Sequence, residues 1–299
     1  MRDQISITVV GAGAIGGALA AALGDAGYRV MLCDRTPFES LRRTINGDTR
    51  RYDHPVVTNP ERLQSVDWLL LCTKAHQVSG ATPWLERLIG PDTYVGVMQN
   101  GVDHESRVKG FVDPDRIVPA IMLLPVEAVS PGEIVQGRTG HIQVPNSPAG
   151  RKLASLFPPD GAVVFEAISD FVSASWSKLA FNAVGGGIGC LALEPLGAVT
   201  EPSVRDLATS LFEEVMAVGR AEGALFPEDF VERTLAQFSS MSEHWESIAV
   251  DRREGRHMEW QARNAVVGEI GRTHGILTPL NDAVTALLAL IDARLNGGP

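Results

Sequence analysis

Ile5-Ser6-Ile7-Thr8-Val9-Val10 is followed by Gly11-Ala12-Gly13-Ala14-Ile15-Gly16, then by an alanine-rich stretch, then by Tyr28-Arg29-Val30-Met31-Leu32-Cys33-Asp34. A Gly-x-Gly-x-x-Gly run alone is weak evidence. Here it leaves an apolar strand, opens a small-residue helix and leads to a second strand ended by a carboxylate, which predicts a dinucleotide-binding βαβ unit. Gly11 suits the tight turn, Gly13 leaves the backbone open to a pyrophosphate, and Gly16 lets the helix lie close on the sheet. The turn, with Ala12, Ala14 and Ile15 between these glycines, then presents a helix N-terminus to the phosphates, where unpaired N–H groups favour negative charge. The plain alternative is a strand-to-helix turn with no ligand.

Asp34 reads in two ways. A carboxylate at the end of the second strand accepts hydrogen bonds from an adenosine ribose, which indicates NAD. Arg35 follows it and suits a 2′-phosphate, which indicates NADP. Arg42 and Arg43 add positive charge a short way downstream.

Working outward, strands and helices alternate through the first half. Asn46-Gly47-Asp48 is a turn signal in a polar segment. Asp67 to Cys72 and Tyr94 to Met98 are short apolar runs that suit buried parallel strands. Arg116 to Met122 continues the sheet, Glu133 to Gln136 and His141 to Val144 read as a hairpin around Gly137 and Gly140, and Gly161 to Phe165 is the last strand. After Ser169 helical spacing takes over: Leu207, Leu211, Val215 and Val218; Val266 and Ile270; Val284, Leu287, Leu288 and Ile291, with Pro279 opening the last helix. The expectation is an α/β chain: a Rossmann-type doubly wound dinucleotide-binding domain over 1–168, then an all-helical substrate and dimerisation domain over 169–299. Ligands of open α/β sheets bind beyond the carboxyl ends of the strands, so a cleft between the halves is the expected substrate site.

Composition narrows the function classes. The chain has 299 residues, 44% hydrophobic and 21% charged, as an ordinary globular protein does. A net charge of −10 argues against wholesale binding of nucleic acid or anionic membrane. Cys33, Cys72 and Cys190 show neither metal spacing nor a disulfide framework, as in a reducing cytoplasm. Met1-Arg2-Asp3-Gln4 is too short and polar to read as a signal peptide, and no apolar run reaches a membrane span.

A hydride transfer to a carbonyl also needs a proton source. Lys178 in Trp176-Ser177-Lys178-Leu179-Ala180-Phe181-Asn182 is a candidate, although most helix lysines are simply solvated. Lys74 in Thr73-Lys74-Ala75-His76-Gln77 and the Gln99-Asn100-Gly101 run both follow strands, on the ligand side of a sheet, where the alternative is an ordinary turn. Glu259 lies in a charged stretch, Asp251 to Trp260, that taken alone reads as surface. His76, His244 and His257 lack metal spacing and read as surface or structural. Gly185-Gly186-Gly187 is unusual in a helical region and suits a kink or a ligand approaching the backbone.

In order along the chain, these motifs resemble the ketopantoate reductase (2-dehydropantoate 2-reductase) family: Gly11 to Gly16, Thr73 to Gln77, Gln99-Asn100-Gly101, Trp176 to Asn182, Ser247-Ile248-Ala249-Val250-Asp251 with Glu259 eight residues on, and Thr273 to Asn281. The resemblance implies an NADPH-dependent reductase of a 2-oxo acid, with ketopantoate as the default substrate. Lys178 matches the general acid, Glu259 a group supporting substrate and lysine, Asn100 and Ser247 substrate contacts, with Asn100 also at the cofactor, Asn182 a substrate-side asparagine, and Lys74 a position close to cofactor and substrate, with Gln77 beside it at the cofactor. A homodimer follows by the same analogy. The chain departs from the pattern at Gly186, where a second asparagine is expected, and at Gln261, where an aspartate is expected. Losing a built-in polar contact changes discrimination by orders of magnitude. With Trp260, the triple glycine would accommodate a bulkier or less polar 2-oxo acid. The competing readings are an NAD-dependent D-2-hydroxyacid dehydrogenase and a non-catalytic nucleotide-binding protein.

Overall fold

The computed structural model describes residues 5–297, so Met1-Arg2-Asp3-Gln4, read above as unlike a leader, lie outside the described residues. Two compact units are present: one runs to Gln99 and resumes over His104–Phe171, and the other takes Asn100–Asp103 and the chain from Val172 onward.

In the first unit the chain runs β1 (Ile7–Val10), α1 (Ala14–Asp25), β2 (Val30–Cys33), β3 (Leu41–Ile45), β4 (Asp48–Tyr52), β5 (Val56–Val57), β6 (Trp68–Leu71), α2 (Val78–Leu88), β7 (Tyr94–Val97), α3 (His104–Val108), β8 (Ile117–Pro119), β9 (Ile121–Leu123), β10 (Val126–Ser130), β11 (Glu133–Gln136), β12 (Gly140–Pro145), α4 (Pro148–Ala154) and β13 (Val163–Ile168). A six-stranded sheet has the order β5-β2-β1-β6-β7-β8, and every pair in it is parallel. Chain order reverses at β1, which is the switch point where such sheets bind nucleotides.

Alternation along the strands feeds two cores. Ile7 and Val9 of β1 and Trp68 and Leu70 of β6 join Leu19 and Leu23 of α1 and Leu153 of α4 on one face. Val10, Leu69, Leu71, Val95 and Val97 join Trp84, Leu85 and Leu88 of α2 on the other. Both faces are covered, as the apolar runs of parallel strands require.

Two further sheets correct the reading of the later strands. The segments at Glu133 to Gln136 and His141 to Val144 do not form a hairpin. β11 pairs antiparallel with β10 and parallel with β3, in a four-stranded sheet of order β10-β11-β3-β4. β12 lies between β9 and β13 in a three-stranded sheet. The few residues after β11 carry the chain from one sheet to the other, and Gln136 Nε2 fastens the crossing by donating to the carbonyls of Arg138 and Ala162. Of the Arg116 to Met122 stretch, only β8 extends the large sheet; β9 belongs to the small one. Asn46-Gly47 is a turn as expected, with φ of 52° and 84°, but it joins strands β3 and β4 and does not sit in a loop. Arg43 and Arg50 of this hairpin donate to Asp25 at the end of α1, at 2.7 and 2.6 Å. Arg42 pairs with Glu133 at 3.2 Å. Arg42 is thus paired across β3 and β11, and Arg43 ties the hairpin to α1.

The second unit is helical: α5 (Phe171–Phe181), a π-helical turn Asn182–Gly186, α6 (Gly187–Ala192), α7 (Pro202–Ala221), α8 (Phe230–Ser240), α9 (Ser247–Arg253), a second π-helical turn Gln261–Ala265, α10 (Val266–Thr273) and α11 (Pro279–Leu295). Its core gathers Trp176, Leu211, Phe212, Val215, Val218, Phe238, Val284 and Leu288. Leu207 and Leu287, which share the helical spacing, are exposed. Val102 packs on this helical core, which explains why Asn100–Asp103 belong to the second unit. Glu214 on α7 caps α11 by accepting the N–H groups of Leu280 and Asn281 at 2.9 and 2.8 Å. Asn281 Nδ2 donates to the same carboxylate, so the closing motif is structural.

Candidate functional site

In the first unit the glycine turn has the geometry that a phosphate cradle needs. Gly11 has φ +95°, and a Cβ there would lie 2.8 Å from the Thr73 nitrogen, so the turn passes directly beside the end of β6. A Cβ on Gly16 would overlap the Gly11 oxygen and lie 2.9 Å from Val9 Cγ1, because α1 rests on β1. A Cβ on Gly13 would meet nothing within 4 Å. The backbone at the start of α1 is therefore open where Gly13 stands and close-packed where Gly16 stands.

Asp34 is tied into this turn. Its Oδ2 accepts the Ala12 N–H at 2.9 Å and its Oδ1 accepts the Thr36 N–H at 3.0 Å. Arg35 is exposed. Burial, and secondarily the neighbouring Asp34 charge, pushes the Cys33 thiol up to about 12, so it stays protonated and unreactive. Lys74 precedes, and Gln77 ends, the half-buried turn Ala75–Gln77 after β6. Gln99 braces the neighbouring strand end: its Nε2 donates to Thr73 O at 2.7 Å, and its Oε1 accepts from Arg107 at 3.1 Å. These groups fit a dinucleotide: open backbone at a helix N-terminus, close packing behind it, and a carboxylate at the end of β2.

The second unit gathers the remaining candidates from separate segments. Asn100 Nδ2 donates to Glu259 Oε2 at 3.2 Å, and Asn182 Nδ2 reaches Asn100 Oδ1 at 3.5 Å. Glu259 is 8% exposed and Asn182 2%, so the charged stretch that reads as surface turns its glutamate inward. The Asn182 side-chain oxygen Oδ1 is buried without a partner among the described residues. Asp292 of α11 fixes the backbone before Glu259 by accepting the Met258 N–H at 2.8 Å. Asp251 and Arg256 pair at 2.9 Å across the turn that leads into it.

Lys178 stands on α5 with Nζ 4.8 Å from the centre of the Phe181 ring. Burial lowers its proton affinity below the ordinary lysine value; Glu246 opposes that shift and Arg263 adds to it. The charges facing this lysine are therefore Glu246 and Arg263, neither of which sequence motifs single out. Arg263 Nη1 donates to Glu246 Oε2 at 2.8 Å, and Arg263 Nη2 donates to Ser247 Oγ at 2.7 Å. Burial pushes the Glu246 carboxyl up, but the Arg263 and Lys178 charges outweigh it and hold the group below the usual glutamate value. One signal was available: Arg263 shares a helical face with Val266, Val267 and Ile270, so an arginine lies on an apolar stripe. His76 is half-buried, and His244 lies 3.9 Å from Glu246. Among the described residues no group of His, Cys, Asp and Glu could hold a metal, and no helix is long and apolar enough to cross a membrane.

Similarity to known proteins gives the family of the chain. Residues 7–149 match the profile of ketopantoate reductase PanE/ApbA, and residues 170–292 match that of its C-terminal part. The chain belongs to the ketopantoate reductase family. A 2-dehydropantoate 2-reductase from Caulobacter vibrioides is 39% identical over 285 residues, covering 95% of this chain and 98% of that protein. Membership makes the chain a nicotinamide-dependent oxidoreductase acting on CH–OH groups. Two solved structures share the fold. One is a dimeric ketopantoate reductase from Staphylococcus aureus, with TM-score 0.86, 20% identity and coverage of 97% of this chain and 100% of that one. The other is a D-mandelate dehydrogenase with NADH and anilino(oxo)acetate, with TM-score 0.88, 21% identity and coverage of 98% and 100%.

Proposed function

We propose that this ketopantoate reductase family member reduces a 2-oxo acid, with ketopantoate as the default substrate and NADPH as the reductant. Two groupings in the second unit, each drawn from segments far apart in sequence, support the reading: Asn100 with Glu259 and Asn182, and Lys178 with Glu246 and with Arg263, whose guanidinium holds Ser247. A reduced nicotinamide, when bound, supplies the hydride to the ketone carbon. Lys178 donates a proton to the carbonyl oxygen, and its lowered proton affinity makes it a readier donor than an ordinary lysine. Asn100, oriented by Glu259, presents its amide to the substrate. Ser247 holds the substrate carboxylate, Asn182 offers its buried polar group, and Glu259 orients the lysine and the product hydroxyl. The glycine turn from Gly11, Ala12, Gly13, Ala14 and Ile15 to Gly16 holds the pyrophosphate, Arg35 the 2′-phosphate, and Lys74 and Gln77 the cofactor side of the site.

Asp34 supports a second reading, an NADH-linked D-2-hydroxyacid dehydrogenase. Its carboxylate ends β2 and is fixed by the Ala12 N–H, where it would accept ribose hydroxyls and repel a phosphate. The D-mandelate dehydrogenase structure with NADH shares the fold, and Gly186 favours a less polar substrate. A homodimer like that of the Staphylococcus aureus enzyme and a cytoplasmic location complete the proposal. Cofactor oxidation across a panel of 2-oxo acids, run with NADPH and with NADH, tests it. A clear preference for ketopantoate with NADPH supports the first reading. A preference for aromatic or branched 2-oxo acids with NADH supports the second, and no turnover with any acid refutes both.

A further inference from the structure

The two π-helical turns of the second unit meet. Such turns are rare and recur at functional sites. A Cβ on Gly186, in the first turn, would lie 3.1 Å from Arg263 Nη1, in the second, and 3.1 Å from Ile248 Cγ2. A side chain at 186 would press on the guanidinium, so its absence leaves room for Arg263. Arg263 is 3% exposed, and its Nε is buried without a partner among the described residues. Its Nη1 is held by Glu246 and its Nη2 by Ser247. Ser247, in contrast, is exposed. A serine oxygen that accepts a guanidinium N–H keeps its own proton free to donate elsewhere, and the cation beside it strengthens that donor.

We propose that Arg263 is a positioning and specificity-determining residue: seated in the space left by Gly186 and locked by Glu246, it fixes the exposed Ser247 hydroxyl as the donor to the substrate carboxylate and sets a cation behind it. This rests on the reading of the chain as a 2-oxo acid reductase. It replaces a neutral amide contact at 186 with a charge-backed hydroxyl at 247, so selection falls on the carboxylate shared by all 2-oxo acids and not on a hydroxyl of one of them. The guanidinium is planar and uses two of its nitrogens at once, which an ammonium cannot do.

A double-mutant cycle on the full-length enzyme, with saturating reduced nicotinamide and ketopantoate as the varied substrate, tests this. Ser247→Ala and Arg263→Gln should each raise the KM for ketopantoate about tenfold, and the double variant should be no worse than about tenfold, because both changes remove one contact. In Ser247→Ala, kcat should stay within about threefold, and in all three variants the KM for nicotinamide should not change. Arg263→Lys should fail to restore the KM. Effects that multiply to about a hundredfold in the double variant, a loss confined to kcat, or full rescue by lysine would overturn the inference. Should the arginine variants fold poorly, Gly186→Ala pushes on the guanidinium while removing no polar group; a raised KM with an unchanged melting midpoint supports the proposal, and an unchanged KM overturns it. A wild type inert towards every 2-oxo acid with either nicotinamide overturns the reductase reading itself and this inference with it.

Discussion

The glycine turn of the first unit and the charged cluster of the second are built in opposite ways. The turn is made of backbone, and its glycines and the carboxylate tied to it lie between Ile7 and Asp34. The cluster is made of side chains: Lys178, Glu246 and Arg263 reach it from different segments, and Asn100 and Glu259 pair elsewhere in the unit from positions as far apart. The turn works by what is absent, since room at Gly13 and contact at Gly16 both depend on missing Cβ atoms. The cluster works by balance, since two cations and a carboxylate share one buried region. The stability of the turn therefore depends mainly on volume and that of the cluster mainly on charge.

Glu246→Gln attacks the cluster where that contrast is sharpest. It leaves the Arg263 guanidinium buried without its carboxylate, which costs about 3–5 kcal/mol of stability when one partner of a buried pair is removed. Urea unfolding of wild type and variant measures it, and a loss below about 1 kcal/mol, the range of an exposed pair, would show that the pair is not a buried one. The pH dependence has a definite sign. The folded-state pKa of Glu246 lies below its unfolded value, so its contribution is present above the ordinary glutamate pKa and is lost as pH falls through the folded value. The glutamine variant should lack that acid limb.

A smaller effect separates volume from chemistry in the turn. Gly16→Ala drives a methyl group into the Gly11 carbonyl and should destabilise by about 1–3 kcal/mol. Gly13→Ala points into open space and should leave stability within about 0.5 kcal/mol while weakening nucleotide binding. Thermal melts of the two variants without cofactor read the difference; equal losses would mean that the two glycines do the same job. Smallest is Asp34→Ser, which removes the charge opposing a 2′-phosphate. The ratio of kcat/KM with NADPH to that with NADH should rise about tenfold, equivalent to about 1.4 kcal/mol. An unchanged ratio would remove Asp34 from cofactor selection.

The same contrast explains what the sequence revealed. Ile7 to Asp34 could be read directly because a strand, a turn and a helix adjacent in sequence must also be adjacent in space. The helical half could be read from spacing, with Val284 and Leu288 inward as expected. The β11 and β12 strands could not, because alternation says that a segment is a strand but not which sheet it joins. Arg42 and Arg43 read as added positive charge downstream of the cofactor strand, and Glu133 and Asp25 engage them. Glu246 and Arg263 carry no motif, and only folding puts them beside Lys178. Asp292 holds the backbone before Glu259 from 34 residues away, a contact that spacing does not announce.

The most direct measurement is the pH dependence of single-turnover ketopantoate reduction by wild type and by Lys178→Ala, with nicotinamide affinity measured separately by fluorescence. Because burial lowers the proton affinity of Lys178, the wild-type rate should fall as pH rises through a value below that of an ordinary lysine. Lys178→Ala should bind nicotinamide normally, lose that alkaline limb, and be slower by about 10²–10⁴-fold, the usual worth of a general acid. A variant that keeps the wild-type rate, or the same limb, would contradict the assignment of the proton to Lys178.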